Sequence, residues 1–199
     1  MTVESPAPSA RHRELLELAY RYALENGLAD LSLRPLAAAV GSSPRVLLYL
    51  FGSKDGLVRA LLARARAEEL QLLERLRRQR EPGDAVGLAA VAAEVWTWLA
   101  AEEHRALNSL WVEAYARSLV DPAGPWAAFA RGTVHDWLAV LAAAQPAALR
   151  DTDTGLAQRT LVLAVLRGAL LDLLATGEAD RTTAAVRQQV QALTGDTGR

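Results

Sequence analysis

Apolar positions recur along most of this chain at spacings of three and four, the rhythm of helices that bury one face. Leu15, Leu18, Ala19, Tyr22 and Ala23 predict a helix over 10–26, closed by Gly27. Leu36, Ala37 and Val40 predict a second over 34–40, and Leu47, Leu50 and Phe51 a third over 44–51. A fourth begins after Ser53 and can run to Gln79, where Glu81-Pro82-Gly83-Asp84 breaks it. Further stripes follow: Leu88, Val91, Ala92, Val95, Trp96 and Leu99, then Leu107, Leu110, Trp111, Ala114 and Tyr115. After the break at Asp121–Pro125 come Trp126, Ala130, Thr133, Val134, Trp137, Leu138 and Leu141, and a last helix over 182–193 carries Val186, Val190 and Leu193. β-Branched runs of period two are missing. The expected fold is all-α, with a three-helix head over 1–56 and a bundle over 57–199. The helix over 57–80 is shared between them as a connector.

The stretch 156–176 is apolar on more than one face, so it must be covered on more than one side. One side can meet the bundle; the other can meet a second copy of the chain, and Gly168 and Ala169 would allow close helix approach there. Leu163, Leu166, Gly168, Leu170, Leu173, Val186 and Val190 are the expected dimer seam.

Between the second and third helices the local chemistry is that of a tight turn. Gly41 tolerates the left-handed backbone that a sharp turn requires, Ser43 can cap a new helix, and Pro44 loses nothing at its first position. Ser43, Pro44, Arg45 and Tyr49 are then left facing outward. A short helix with polar residues outward at its N-terminus is what a helix-turn-helix presents to a DNA major groove.

These residues resemble the N-terminal DNA-binding domain of the tetracycline-repressor (TetR) family of bacterial transcription regulators. The likeness rests on Gly27, Ser32-Leu33-Arg34, Val40-Gly41, Leu47-Leu48-Tyr49-Leu50-Phe51 and Ser53-Lys54-Asp55-Gly56-Leu57, in the family's order and spacing. Leu48 and Leu50 depart from it, standing where the family usually has Tyr and often His. The resemblance implies a homodimer joined through its last two long helices, double-stranded DNA with a palindromic operator as partner, and a small-molecule site in the body. It implies a ligand-responsive regulator acting as a repressor. The alternative is an all-helical small-molecule carrier or enzyme whose helix-turn-helix no longer binds DNA, for which Leu48 and Leu50 speak.

Within the head, Arg45 can pair with guanine O6 and N7, or serve a phosphate, or remain solvated. Ser43 and Val46 can meet a base edge or a thymine methyl, and Tyr49 can lie on the sugar-phosphate backbone or pack within the head. Lys54 opposes its own helix dipole, which makes sense if a phosphate docks there; Ser32 and Arg34 can do the same at the second helix.

Net charge is −1, but residues 1–80 hold 13 Lys/Arg against 9 Asp/Glu and the remainder holds 9 against 14. A basic N-terminal part on an acidic body fits a DNA-binding head. Residues 1–56 alone balance at six each, and the excess lies on the fourth helix, at Arg59, Arg64, Arg66, Arg75, Arg77, Arg78 and Arg80, where a solvated face would also account for it.

All five tryptophans fall in the body. Each alone can be core; together they suggest an aromatic-walled cavity for an apolar or aromatic molecule. Trp96, Trp98, His104, Asn108, Trp111, Tyr115, Trp126 and Trp137 are the expected lining, with Trp111 and Trp137 the preferred walls. Cysteine is absent, which excludes disulfides and thiolate chemistry, and His12, His104 and His135 lack metal-ligand spacing. No phosphate-cradling loop or nucleophile motif occurs, so no catalysis, metal or cofactor is expected. No apolar run at the N-terminus reads as a signal peptide, and Arg159, Arg167 and Asp172 interrupt the most apolar stretch. A cytoplasmic protein without a membrane span is expected.

Overall fold

A computed structural model describes residues 9–28, 31–78 and 87–195, with the backbone alone for 72–78 and 194–195. Ten α-helices and no strand occur among them: α1 (Ala10–Asn26), α2 (Leu33–Ala39), α3 (Pro44–Phe51), α4 (Lys54–Arg78), α5 (Leu88–Ala100), α6 (Arg105–Val120), α7 (Phe129–Ala143), α8 (Ala147–Arg150), α9 (Asp153–Thr176) and α10 (Ala179–Gly195). A single 3-10 turn, Glu102–His104, joins α5 to α6. This turn and the four-residue α8 carry no apolar stripe, which is why periodicity did not foresee them. The expected breaker at 81–84 and the residues before Ser9 lie outside the described residues, as do the side chains of Arg75, Arg77 and Arg78 and all of Arg80.

Local signals set the helix ends in the head. Ser9, Ser43 and Ser53 turn their hydroxyls onto the N–H groups of His12, Val46 and Gly56, at 3.2, 3.3 and 2.9 Å. Gly41 takes φ +62 between α2 and α3, the left-handed conformation the turn demands. Gly56 is required for a different reason: a Cβ there would lie 2.0 Å from the carbonyl oxygen of Phe51. α4 can follow α3 this closely only because that position has no side chain.

The apolar packing forms two clusters. The first gathers Leu15, Ala19, Tyr20 and Ala23 of α1 with Leu36, Leu47, Leu57, Leu61 and Ala65, and extends to Leu110, Ala114, Trp126 and Phe129 of the body. The second holds α5, α7, α9 and α10 together around Val91, Val95, Leu141, Val162 and Leu166. Trp111 packs against both. Packing therefore does not divide at residue 56, because the first half of α4 and part of α6 complete the head's core. On α1 the buried aromatic is Tyr20, with Tyr22 only half-buried.

Two arginines of α4 are engaged inside the protomer. Arg64 pairs with Glu17 at 2.7 Å and Glu68 at 2.9 Å, its guanidinium 4.7 Å from the Tyr20 ring centroid. Arg66 pairs with Asp136 of α7 and donates to Thr133 Oγ1 at 3.0 Å. The basic excess of this helix is thus partly an internal clamp, tying α4 to α1 and α7.

The expected dimer seam needs correction. Leu163, Leu166, Leu170 and Leu173 are buried inside the protomer, as is Val186, and Val190 is half-buried against the same core. Of the seven residues only Gly168 is exposed, with nothing within 4 Å of where a Cβ would stand. The outward apolar face of α9 is Leu161, Ala164, Gly168, Leu171 and Ala175, a stripe of the same period rotated away from the core. Leu161 is 52% exposed and Leu171 50%. Because α9 is apolar almost all round, its sequence has a period but no readable inner side. No helix among the described residues is long and apolar enough to cross a membrane.

Candidate nucleic-acid interface and ligand cavity

Three helices of the head begin with a cation in their first turn: Arg34 on α2, Arg45 on α3 and Lys54 on α4. All three are exposed, and none has an ion-pair partner among the described residues. Each opposes the partial positive charge of its own helix N-terminus, an arrangement that favours an anion there. Between them, α3 is held by Leu47, fully buried, while Ser43, Arg45, Val46, Leu48 and Tyr49 face solvent. Tyr49 is 86% exposed, too far out to be packing within the head. Pro44 is half-buried at the first position of the helix, and Ser32 is exposed without a capping bond.

In the body, a cavity of about 40 Å³ lies between α4, α5, α6, α7 and α9. Its wall is mostly apolar, from Ala65, Val95, Leu99, Leu107, Leu163, Leu166 and Leu170, and it includes Trp98, Asn108, Trp111 and Trp137. Four of the eight expected ligand residues therefore meet at one space, and four do not line it. Trp96 is turned the other way, its indole N–H donating to Thr183 of α10 at 3.0 Å. Trp126 packs in the head-side cluster. His104 stacks on Trp98 with ring centroids 3.9 Å apart, and Tyr115 lies 5.2 Å from Trp111, so both stand behind the wall. Asn108 uses its amide to donate to the Leu99 carbonyl at 2.8 Å.

Two charged residues in the wall were not singled out as site residues, Glu69 of α4 and Arg167 of α9. Arg167 carried a signal, as a cation inside the most apolar stretch of the chain. Glu69 carried none, since a glutamate on an amphipathic helix ordinarily faces water. Here it is buried, and Trp137 Nε1 donates to its Oε1 at 2.5 Å while Arg66 stands 3.8 Å from Oε2. Burial pushes its carboxyl above the ordinary value, against the opposing pull of the Trp137 hydrogen bond and the Arg66 charge. Arg167 lies over Trp111 and Tyr115, 5.9 and 5.1 Å from their ring centroids, and burial pulls its guanidinium below the usual arginine value.

The raised carboxyl has a consequence for stability. Glu69 favours the fold fully below the ordinary carboxyl range, and that contribution is lost as pH rises through the raised folded value. Glu69→Gln keeps an acceptor for Trp137 without the charge. The melting temperature of the variant relative to wild type is expected to climb from about pH 4 to about pH 7. A difference constant across that range would contradict the burial argument.

Head and body also meet through Glu113 of α6, whose Oε2 accepts from the Leu28 N–H at 2.9 Å, just past the end of α1. Glu113→Ala leaves that N–H without its acceptor and is expected to cost about 1–3 kcal/mol, read as a lowered melting temperature. An unchanged melt would mean that water replaces the carboxylate at no cost.

Residues 15–61 match the family model described as bacterial regulatory proteins, tetR family. The head is of the TetR type. A transcriptional regulator from Rhodococcus sp. Rha1 superposes on the chain with a TM-score of 0.73 at 20% identity, over 93% of this chain and 96% of its own. Salmonella enterica GusR does so with a TM-score of 0.64 at 24% identity, over 97% and 98%. The multidrug binding protein EbrR, in complex with imidazole, gives 0.63 at 22% identity, over 90% and 89%. At these identities the likeness shows a shared fold over at least nine-tenths of the chain, beyond the 47 residues that the family model matches. No curated protein matches the chain in sequence.

Proposed function

We propose that this protein is a homodimeric, ligand-responsive transcriptional repressor that binds a palindromic operator and leaves it when a small apolar or aromatic molecule enters the body. The observation that carries the reading is that one helix serves both sites. α4 starts at Lys54, beside the recognition helix α3, and contributes Ala65 and Glu69 to the cavity wall eleven and fifteen residues later. In its present form the cavity has room for a few water molecules. A drug-sized ligand needs roughly 300 Å³ or more, so its binding must push the surrounding helices apart. Displacement of α4 then changes the separation of the two recognition helices in a dimer. Half-sites about one helical turn apart (~10 base pairs) no longer fit. Emptying the operator needs about 1–3 kcal/mol of coupling between ligand and DNA.

Ser32, Arg34, Ser43, Pro44, Arg45, Val46, Tyr49 and Lys54 form the proposed DNA surface. The proposed seam is the outward stripe of α9 together with α10.

The test is operator selection from random DNA, followed by anisotropy titration of the selected duplex at two salt concentrations. The reading expects a selected palindrome and binding that weakens steeply as salt rises. No sequence preference at any salt would leave the helix-turn-helix without a DNA role and favour a carrier or enzyme.

A further inference from the structure

Five buried polar atoms without a hydrogen-bond partner belong to residues on the wall of the cavity: Nε1 of Trp98, Nε1 of Trp111, Nε and Nη2 of Arg167, and Oε2 of Glu69. Four are donors and one is an acceptor. Buried polar groups are ordinarily satisfied, so a cluster of unmade bonds around one space defines what would complete it.

We propose that the cavity takes an apolar molecule bearing a single carboxylate, held by Arg167 and the indole N–H of Trp98. The proposal rests on the reading of this cavity as the effector site and names the chemistry it selects.

The charges decide the sign of the ligand. Glu69 already receives a hydrogen bond from Trp137, and Arg66 stands 3.8 Å from its second oxygen. The Trp111 indole lies near enough to favour the charged carboxylate, though without a hydrogen bond of normal geometry. Arg66 in turn is paired with Asp136, so this group of three is largely self-satisfied. Arg167 has no such arrangement. Among the described residues its one hydrogen bond is to the Tyr115 hydroxyl at 3.4 Å, two aromatic faces lie beside it, and the already engaged Glu69 is the carboxylate whose charge reaches it. A half-buried guanidinium whose Nε and Nη2 are shielded from solvent and unpaired matches a carboxylate, which can accept from both. A cationic ligand would meet Arg167 with only the already engaged Glu69 to offset the repulsion. A neutral one would leave the guanidinium with only the already engaged Glu69 as counter-charge. Leu99, Leu107, Leu163 and Leu166 supply the apolar surface for the rest of the molecule.

The experiment measures binding of octanoate, octanamide and octylammonium to the full-length protein at neutral pH, by tryptophan fluorescence and melting temperature. A second series uses 2-naphthylacetate, its amide and the corresponding amine, so that an aromatic body is also offered. In at least one series the carboxylate is expected to bind on the order of tenfold more tightly than its amide, and the ammonium more weakly still. Arg167→Met, which keeps the apolar stem, is expected to erase the preference for carboxylate over amide. Arg167→Gln serves the same purpose should the first variant fold poorly. An amide or ammonium that outranks the carboxylate in both series overturns the proposal and leaves the effector-site reading standing. A carboxylate preference unchanged in the folded Arg167 variant also overturns it. Absence of binding by all six compounds overturns the proposal together with the reading of the cavity.

Discussion

Leu171→Arg is expected to yield a folded protomer that no longer dimerises, and Leu170→Arg a protein that does not fold. The two leucines are neighbours in sequence, but Leu171 is half exposed on the outer stripe of α9 and Leu170 is buried between α9 and the bundle core. In a dimer joined through the outer stripe, an arginine at position 171 places an unpaired charge in an apolar seam from both subunits. In the free protomer it is solvated and costs little. At position 170 the same side chain displaces a packed leucine and puts an unpaired charge into the mostly apolar cavity wall that already holds Arg167, at a cost of about 3–5 kcal/mol. That is a large part of the roughly 5–15 kcal/mol by which a domain is stable. Sedimentation gives the mass and circular dichroism the fold. A dimer retained by Leu171→Arg would move the interface off this face of α9.

Arg45→Ala and Lys54→Ala are expected to weaken DNA binding in different ways. Arg45 stands exposed in the first turn of α3, beside the outward Val46 and Tyr49, where a guanidinium can reach a base edge. Its loss should lower operator affinity by about 1–3 kcal/mol and relax the preference at one base position per half-site. Lys54 begins α4 and meets a phosphate in the proposed complex. Its loss should weaken all sequences alike and flatten the salt dependence by about one charge per subunit. Among the described residues neither has an ion-pair partner to lose, so both variants should melt like wild type. Selection of a new operator by each variant separates the two roles. Unaltered affinity and preference in Arg45→Ala would show that α3 is not the reading helix.

Much of the head was legible in the sequence because its signals are local. Ser43-Pro44, Gly41 and Ser53 each fix a helix end by chemistry within three residues, and α1 and α3 occur over the ranges expected from them. The body gave up its helices but not their orientation. Trp96 and Trp98 are two residues apart on α5, and only contact with α10 decides that one bonds Thr183 while the other faces the cavity. The same ambiguity hides the inner side of α9, whose buried Leu170 and exposed Leu171 are chemically identical. Glu69 was illegible for a related reason. Its burial depends on Trp137, sixty-eight residues away.

The central claim is that filling the cavity moves α4 and thereby changes the spacing of the recognition helices. The chain has no cysteine, so Ala39→Cys, at an exposed position at the end of α2, gives one spin label per subunit on each head. The distance between the two labels is measured by pulsed electron resonance in the dimer on its selected operator, and again with saturating cavity ligand. The account predicts one narrow distance on DNA, fixed by half-sites about 34 Å apart. With ligand it predicts a shift of several ångströms, of the scale known for helix displacements in switching proteins, as DNA is released. Release of DNA by a cavity-bound ligand, with the distance distribution of the free dimer unchanged, would contradict it.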